Sequence, residues 1–349
     1  MQATERFASA VLAAAVSSGG LAAAQSADQR QLERIEEMLR QEGQAVVALA
    51  DAAARHESLP GDFPLDWHND FLKAQAGTFV PFIVSVGRSP QHPPAALLYV
   101  RASRRAPDGR DERRSTRRGL PEPGGLVVYP FEEIYPIALN VGDNAPTGVA
   151  RGFALAPGEY DITVVVRERE RENARGRRLL AAALRRPLRV PDFSGSELTT
   201  SSIILGNGLT VLKDPPPPEA LGERPYVIAG REIHPVADRI LARSEELVVV
   251  FLVYNPFVTR EKHFDLEVEY HFFRRGATGE TYFNRTEPQR FNPVSLGPQY
   301  DPMAGHPIMA GQGVPLAGFE AGEYRLAIKV TDLISGQSIS REVTFSVRP

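Results

Sequence analysis

Two segments of this chain, LAPGEYDITVVVRE at 155–168 and FEAGEYRLAIKVTD at 319–332, align without a gap at an offset of 164. In each, Gly-Glu-Tyr leads into alternating residues: Tyr160, Ile162, Val164 and Val166 against Asp161, Thr163 and Arg167, and Tyr324, Leu326, Ile328 and Val330 against Arg325, Ala327 and Lys329. Glycine supplies the positive φ that a tight turn needs, and a period of two marks a strand with one buried face. Such a repeat within 349 residues predicts two β modules, each closing on a hairpin.

The rest of the chain beyond residue 62 carries the same pattern. Strands are expected at Phe79–Val86, Ala96–Arg101, Leu126–Ile137 with interruptions at Pro130 and Pro136, Leu179–Val190, Leu198–Leu212, Tyr226–Ile233, Glu246–Tyr254 and His263–Phe273. In the last of these Phe264, Leu266, Val268, Tyr270 and Phe272 share one face, and Asp265, Glu267, Glu269 and His271 the other. With 29 Gly and 29 Pro, turns must be frequent, which favours short strands over long helices. A chain of this length holds two domains that each bury a core without disulfides.

Before this β region, Phe7 to Ala24 is an apolar, small-residue run ending in Ala22-x-Ala24, which reads as a secretory signal cut after Ala24. Residues 26–55 place Leu32, Ile35, Leu39, Val46, Val47 and Leu49 at helical spacing, with Ser26 or Asp28 as cap and Gly43 as a midway break. The expected organisation is a signal peptide at 1–24, a helical lead at 25–62, and β-sandwich domains at 63–192 and 193–349. The second domain carries a stiff Pro-rich loop at 214–219.

Gly-Glu-Tyr resembles the glycine and tyrosine at the start of strand F in immunoglobulin-like domains, where the tyrosine forms a corner. Ile162 and Leu326 stand where antibody domains have a cysteine, so the resemblance is to the sandwich architecture. More broadly, DWHNDFLKAQAGTFVPFIVSV, RVPDFSGSELTTSSIIL, FLVYNP and YFNRTEPQRFN resemble a family of exported bacterial proteins with tandem immunoglobulin-like β-sandwich domains. They are similar to the modules that trail von Willebrand factor A-like domains. The resemblance implies an all-β chain in a periplasmic or secreted setting and supplies no reaction.

Zero cysteines exclude disulfide scaffolds, thiol nucleophiles and thiolate metal sites. The seven histidines form no H-E-x-x-H, and no P-loop, G-x-S-x-G or G-x-G-x-x-G precedes a helix. Asp192-Phe193-Ser194-Gly195-Ser196 has the D-x-S-x-S form of a metal-adhesion loop, but Pro191 precedes it and no strand and helix alternate after it, so an interdomain turn is expected. Glu132 and Glu133 are adjacent on a strand and face opposite ways, a poor carboxylate dyad. No catalytic residue, metal or cofactor is expected.

The strongest chemical signal is charge. Residues 101–118 and 167–189 carry net charges of +5 and +6, so with a chain total of −3 the remainder carries −14. Neither tract has the aromatic residues that stack on bases, which argues against nucleic acid. Arg104, Arg105, Arg113, Arg114, Arg117, Arg118, Arg175, Arg177 and Arg178 are the candidate contacts to an anionic partner, in loops at opposite ends of the first sandwich. The expected function is a non-catalytic periplasmic or secreted interaction protein that contacts another envelope protein or an anionic polymer. The competing expectations are an exported hydrolase using groups such as Asp70, His234 or Glu269, and a structural spacer associating through the 26–55 helix.

Overall fold

Alternating and continuous apolar runs place most of the chain in strands, and the computed structural model is mostly β. It describes residues 22–55, 57, 59–87, 94–105, 128–140, 146–169, 177–298, 300–301 and 304–349. The expected signal up to residue 21, and Arg113, Arg114, Arg117, Arg118 and Arg175, lie outside the described residues. Helix α1 spans Ala22–Ala54. It is followed by β1 Leu65–Asn69, β2 Leu72–Lys73, β3 Thr78–Val86, β4 Ala95–Arg104, β5 Phe131–Ala138, β6 Thr147–Leu155, β7 Gly158–Glu168 and β8 Ala181–Val190. Then come β9 Thr199–Thr200, β10 Ile204–Val211, β11 Val227–Ile228, β12 Arg231–Pro235, β13 Ile240–Ala242 and β14 Glu246–Tyr254. Last are β15 Leu266–Gly276, β16 Gly279–Arg285, β17 Gln289–Phe291, β18 Ile308–Pro315, β19 Gly322–Asp332 and β20 Ser338–Arg348. No helix among the described residues is long and apolar enough to cross a membrane.

The chain forms two compact units. One comprises the described residues up to Trp67 with Val84–Val149 and Pro157–Val190; the other comprises His68–Ile83, Ala150–Ala156 and Pro191–Pro349.

In the first unit, β5, β4, β7 and β8 form an antiparallel sheet in that order. The alternation in β7 predicts a half-buried strand, yet Tyr160 through Val166 are all buried. The reason is α1, whose Leu39, Val46 and Ala50 pack on Leu97, Tyr99 and Val165 and so cover the second face. The expected break at Gly43 does not occur. Leu39, Gly43, Val46, Ala50 and Ala53 form one buried stripe at helical spacing, and packing of that stripe outweighs the roughly 1 kcal/mol that glycine costs relative to alanine. The helix begins at Ala22, so Ser26 and Asp28 lie inside it rather than capping it. Two ion pairs fix its position along the sheet: Arg101 with Asp51 at 2.7 Å and Arg169 with Glu42 at 3.1 Å.

In the second unit, one six-stranded sheet runs β11-β12-β10-β14-β18 with β9 also on β14, and another runs β13-β20-β19-β15-β16 with β17 also on β15. Leu247, Val249, Phe251 and Val253 of β14 share a core with Leu266, Val268, Tyr270 and Phe272 of β15 and with Leu326, Ile328 and Val330 of β19, so the two sheets face one another. The other face of β14, through Val248, Val250, Leu252 and Tyr254, joins a second cluster with Ile204, Tyr226, Ile228 and Ile233. That two-sided burial is why β14 reads as an unbroken apolar run. In β15 the expected alternation holds residue for residue, with the apolar face in the core.

The repeated turn folds alike in its two copies. Gly158 and Gly322 have φ of 150° and 153°, values that side chains disfavour. Tyr160 and Tyr324 follow as buried residues at the strand start. Across the ladder each faces an arginine, Arg104 and Arg274 respectively. The Tyr324 hydroxyl donates to the Glu320 carbonyl at 2.9 Å.

Candidate functional site

The four described arginines among the candidate contacts, Arg104, Arg105, Arg177 and Arg178, are engaged within the first unit. The Arg104 guanidinium lies 5.8 Å from the centre of the Tyr160 ring, Arg105 pairs with Asp161, Arg177 with Glu168, and Arg178 with Asp62 at 2.9 Å. The register of β4 on β7 matches Arg104 to Tyr160 and Ala96 to Glu168, which sets the first pair and the second at opposite ends of the strand. The described arginines therefore do not form one patch; they close the ends of the sheet.

Asp161 shows how strongly one of these contacts is built. It is buried between Arg105 and Arg185, the latter at 2.7 Å. Burial alone would raise its carboxyl, but hydrogen bonds from Arg105 and Arg185 outweigh it and hold the group below the usual carboxylate range. Because the folded value lies below the unfolded one, near 3.9, stability from this carboxylate is complete above about pH 5 and is lost as pH falls through the folded value. Urea midpoints of the first unit measured from pH 6 down to pH 3 should fall less steeply in Asp161→Asn than in the wild type. Parallel slopes in the two proteins would refute this account.

The polar face of β15 is likewise an ordinary solvated surface with local ion pairs. Glu269 lies 3.4 Å from Lys329 and 3.6 Å from His271, and Asp265 pairs with Arg290. Glu132 and Glu133 each accept a tyrosine hydroxyl, from Tyr99 and Tyr135. Among the described residues no group of three metal-binding side chains converges. The Ser194 side chain and the Ser194 N–H, which Asp192 accepts at 2.8 Å, hold the Asp192 carboxyl low by hydrogen bonding.

A cavity of about 360 Å³ lies in the second unit. It is built where Asn69, Asp70 and Phe71 meet the chain from Pro191 to Ile203, with Arg239 and the Arg341–Val343 segment of β20 completing the wall. Four consecutive hydroxyl residues, Thr199 to Ser202, line it. Most of its polar groups have work in the fold. Ser202 Oγ accepts the Phe71 N–H at 2.9 Å, and Ser201 Oγ accepts the Leu252 N–H at 2.9 Å while donating to the Ser202 carbonyl at 2.7 Å. Buried Asp70 accepts the Tyr226 hydroxyl at 3.2 Å and lies 3.3 Å from His68 Nε2. Burial and the Asp70 charge push the Tyr226 hydroxyl far up, so it stays protonated and donates. Glu342 pairs with Arg325 at 2.7 Å.

Two groups differ. Thr200 is buried and its hydroxyl has no hydrogen-bond partner among the described residues. The half-buried guanidinium of Arg239 makes no hydrogen bond or ion pair among the described residues. Of the three groups expected for a hydrolase only Asp70 lines the cavity; His234 lies against Thr210, at 3.2 Å, and Glu269 on the face of β15. No spacing rule links residues 69–71, 191–203, 239 and 341–343, and sequence reasoning had no means to find this site.

No family model and no curated protein matches the chain. Among solved structures, red sea bream transglutaminase is similar to it at 10% identity over 86% of this chain with a TM-score of 0.22. The chain spans about a third of that protein's length, 33%.

Proposed function

We propose that this chain is an exported, non-catalytic binding protein made of two tandem immunoglobulin-like sandwiches behind a signal peptide, acting in the periplasm or outside the cell on an anionic polymer or another envelope protein. The kinship with modules that trail von Willebrand factor A-like domains belongs to the same proposal. The sandwich reading is supported by the repeated glycine turn and by Tyr324, whose hydroxyl bonds a carbonyl four residues upstream as a tyrosine corner does.

The observation that carries the binding reading is the cavity of the second unit. Hydrolysis needs a nucleophile or water within reach of a base. Here the Ser201 and Ser202 hydroxyls bond backbone groups, and Asp70 is held by a protonated tyrosine. Such a wall orients a polar ligand and does not activate one. The test is retention of the purified mature protein on an immobilised acidic polysaccharide against a neutral one, alongside crosslinking in the native envelope. Selective retention, or one envelope protein crosslinked reproducibly, supports the reading. Neither outcome in a folded sample would overturn it.

A further inference from the structure

We infer that the cavity of the second unit binds one carboxylate of an acidic sugar, with Arg239 as the cation that receives it and Thr200 as a hydroxyl partner beside it. This rests on the reading of the chain as a binding protein and names the ligand of its site.

The argument starts from which charges are already satisfied. Arg239 and Arg341 face a wall that also holds Asp70, Asp192 and Glu342. Each acid has its donor: Tyr226 for Asp70, the Ser194 N–H for Asp192, and Arg325 for Glu342. Arg341 donates to the Ser340 carbonyl at 3.1 Å. Arg239 alone of the charged groups in this wall has no side-chain partner among the described residues. A partly buried guanidinium without a counter-ion is costly, and its planar fork matches a carboxylate.

The backbone holds Arg239 in place against its own preference. Its φ is 56°, in the left-handed region that side chains rarely adopt. Its N–H donates to the Val236 carbonyl at 3.1 Å and its carbonyl accepts the Ser346 N–H at 2.9 Å, so both sides of this residue are fixed. Thr200 repeats the pattern in neutral form: a buried hydroxyl on the same wall, left without a partner, loses its hydration and gains nothing in the fold.

The remaining lining selects the ligand class. Thr199 and Asn69 suit ring hydroxyls, and Phe71 and Phe193 supply apolar surface. A volume near 360 Å³ is at the small end of ligand cavities and suits one or two sugar rings. A phosphate would bring two charges on one small group among three carboxylates with one unpaired cation, whereas each carboxylate of an acidic sugar carries a single charge on its own ring and matches that cation one to one.

The test is titration calorimetry of the full chain with a hexuronate dimer, against the neutral hexose dimer of the same linkage and inorganic phosphate. Binding of the hexuronate dimer alone is expected. Arg239→Gln should weaken it by about tenfold or more. Thr200→Val, which keeps the shape, should weaken it severalfold and leave the thermal midpoint of the second unit unchanged or higher. A purely structural Thr200 would instead lower that midpoint and leave affinity alone. Equal binding of the neutral dimer, preference for phosphate, or a hexuronate affinity that neither variant changes would each overturn the inference. If the acidic polysaccharide retains both variants as well as the wild type, the cavity assignment fails while the binding-protein reading stands. If the wild type neither binds the dimer nor is retained, both fail.

Discussion

Replacing Arg101 with alanine should destabilise the first unit by about 3–5 kcal/mol, the range for breaking a buried ion pair from one side. Arg101 is only 1% exposed. Its guanidinium donates to Asp51 at 2.7 Å, to the Tyr129 hydroxyl at 3.0 Å and to the Ala50 carbonyl at 2.9 Å. It lies 4.5 Å from the centre of the Tyr129 ring. One side chain from β4 therefore engages the helix backbone, a helix carboxylate and a neighbouring aromatic residue. Alanine leaves the Ala50 carbonyl and the Tyr129 hydroxyl without this donor and opens a void the size of the lost side chain. Arg101→Lys keeps the charge but loses the fork, and should fall between alanine and wild type. Arg101→Met fills the space without the bonds and, because desolvating the charge also costs free energy, should cost less than alanine.

The readout that separates this anchor from a general packing defect is hydrogen exchange. In Arg101→Ala the amides from Val46 to Ala53 should lose protection towards that of a helix detached from its sheet, because tertiary packing supplies most of a helix's stability, while those of β15 and β19 keep theirs. A shift below about 1 kcal/mol in the first unit's denaturant transition, with helix protection intact, would show that the apolar stripe of Leu39, Val46 and Ala50 holds α1 without help.

Arg101 also shows where the sequence stops being legible. It opens a tract of eight arginines and reads there as one more surface charge, because local composition cannot say where a strand ends and a loop begins. Four residues further on, Arg105 already closes the sheet against Asp161. The strands themselves were readable wherever one face meets solvent: Phe264 to Phe272 alternate in sequence and in burial alike. The pattern failed on β7, where Asp161 and Thr163 mark a polar face that α1 and two arginines bury. It failed on Gly43 for the same reason, since propensity knows nothing of the sheet beneath the helix. The cavity was beyond reach altogether. Its wall is assembled from four stretches of the second unit, and its telling features are a cation and a hydroxyl without partners among the described residues, which show only once the charged groups around them have been matched to theirs.

Tyr324→Ala should cost the second unit about 3–5 kcal/mol, and Tyr324→Phe only about 1 kcal/mol. The difference follows from what the side chain touches. Its ring is fully buried among aromatic neighbours, with centroids 5.0 Å from Phe319, 5.3 Å from Phe283 and 5.5 Å, stacked, from Phe345. Phenylalanine keeps all of these contacts and gives up only the hydroxyl's bond to Glu320. Gly322→Ala tests the other half of the motif. Nothing but the Arg274 side chain lies within 4 Å of the added methyl, so its cost, on the order of 1 kcal/mol, would come from the backbone at φ of 153° and not from a clash. Denaturant titration of the three variants should therefore rank alanine at 324 well ahead of the other two. If Tyr324→Phe proved as damaging as Tyr324→Ala, the hydroxyl bond and not the aromatic cluster would be what the repeated Gly-Glu-Tyr exists to make, and the same single-atom change at Tyr160 would then be the experiment of choice for the first unit.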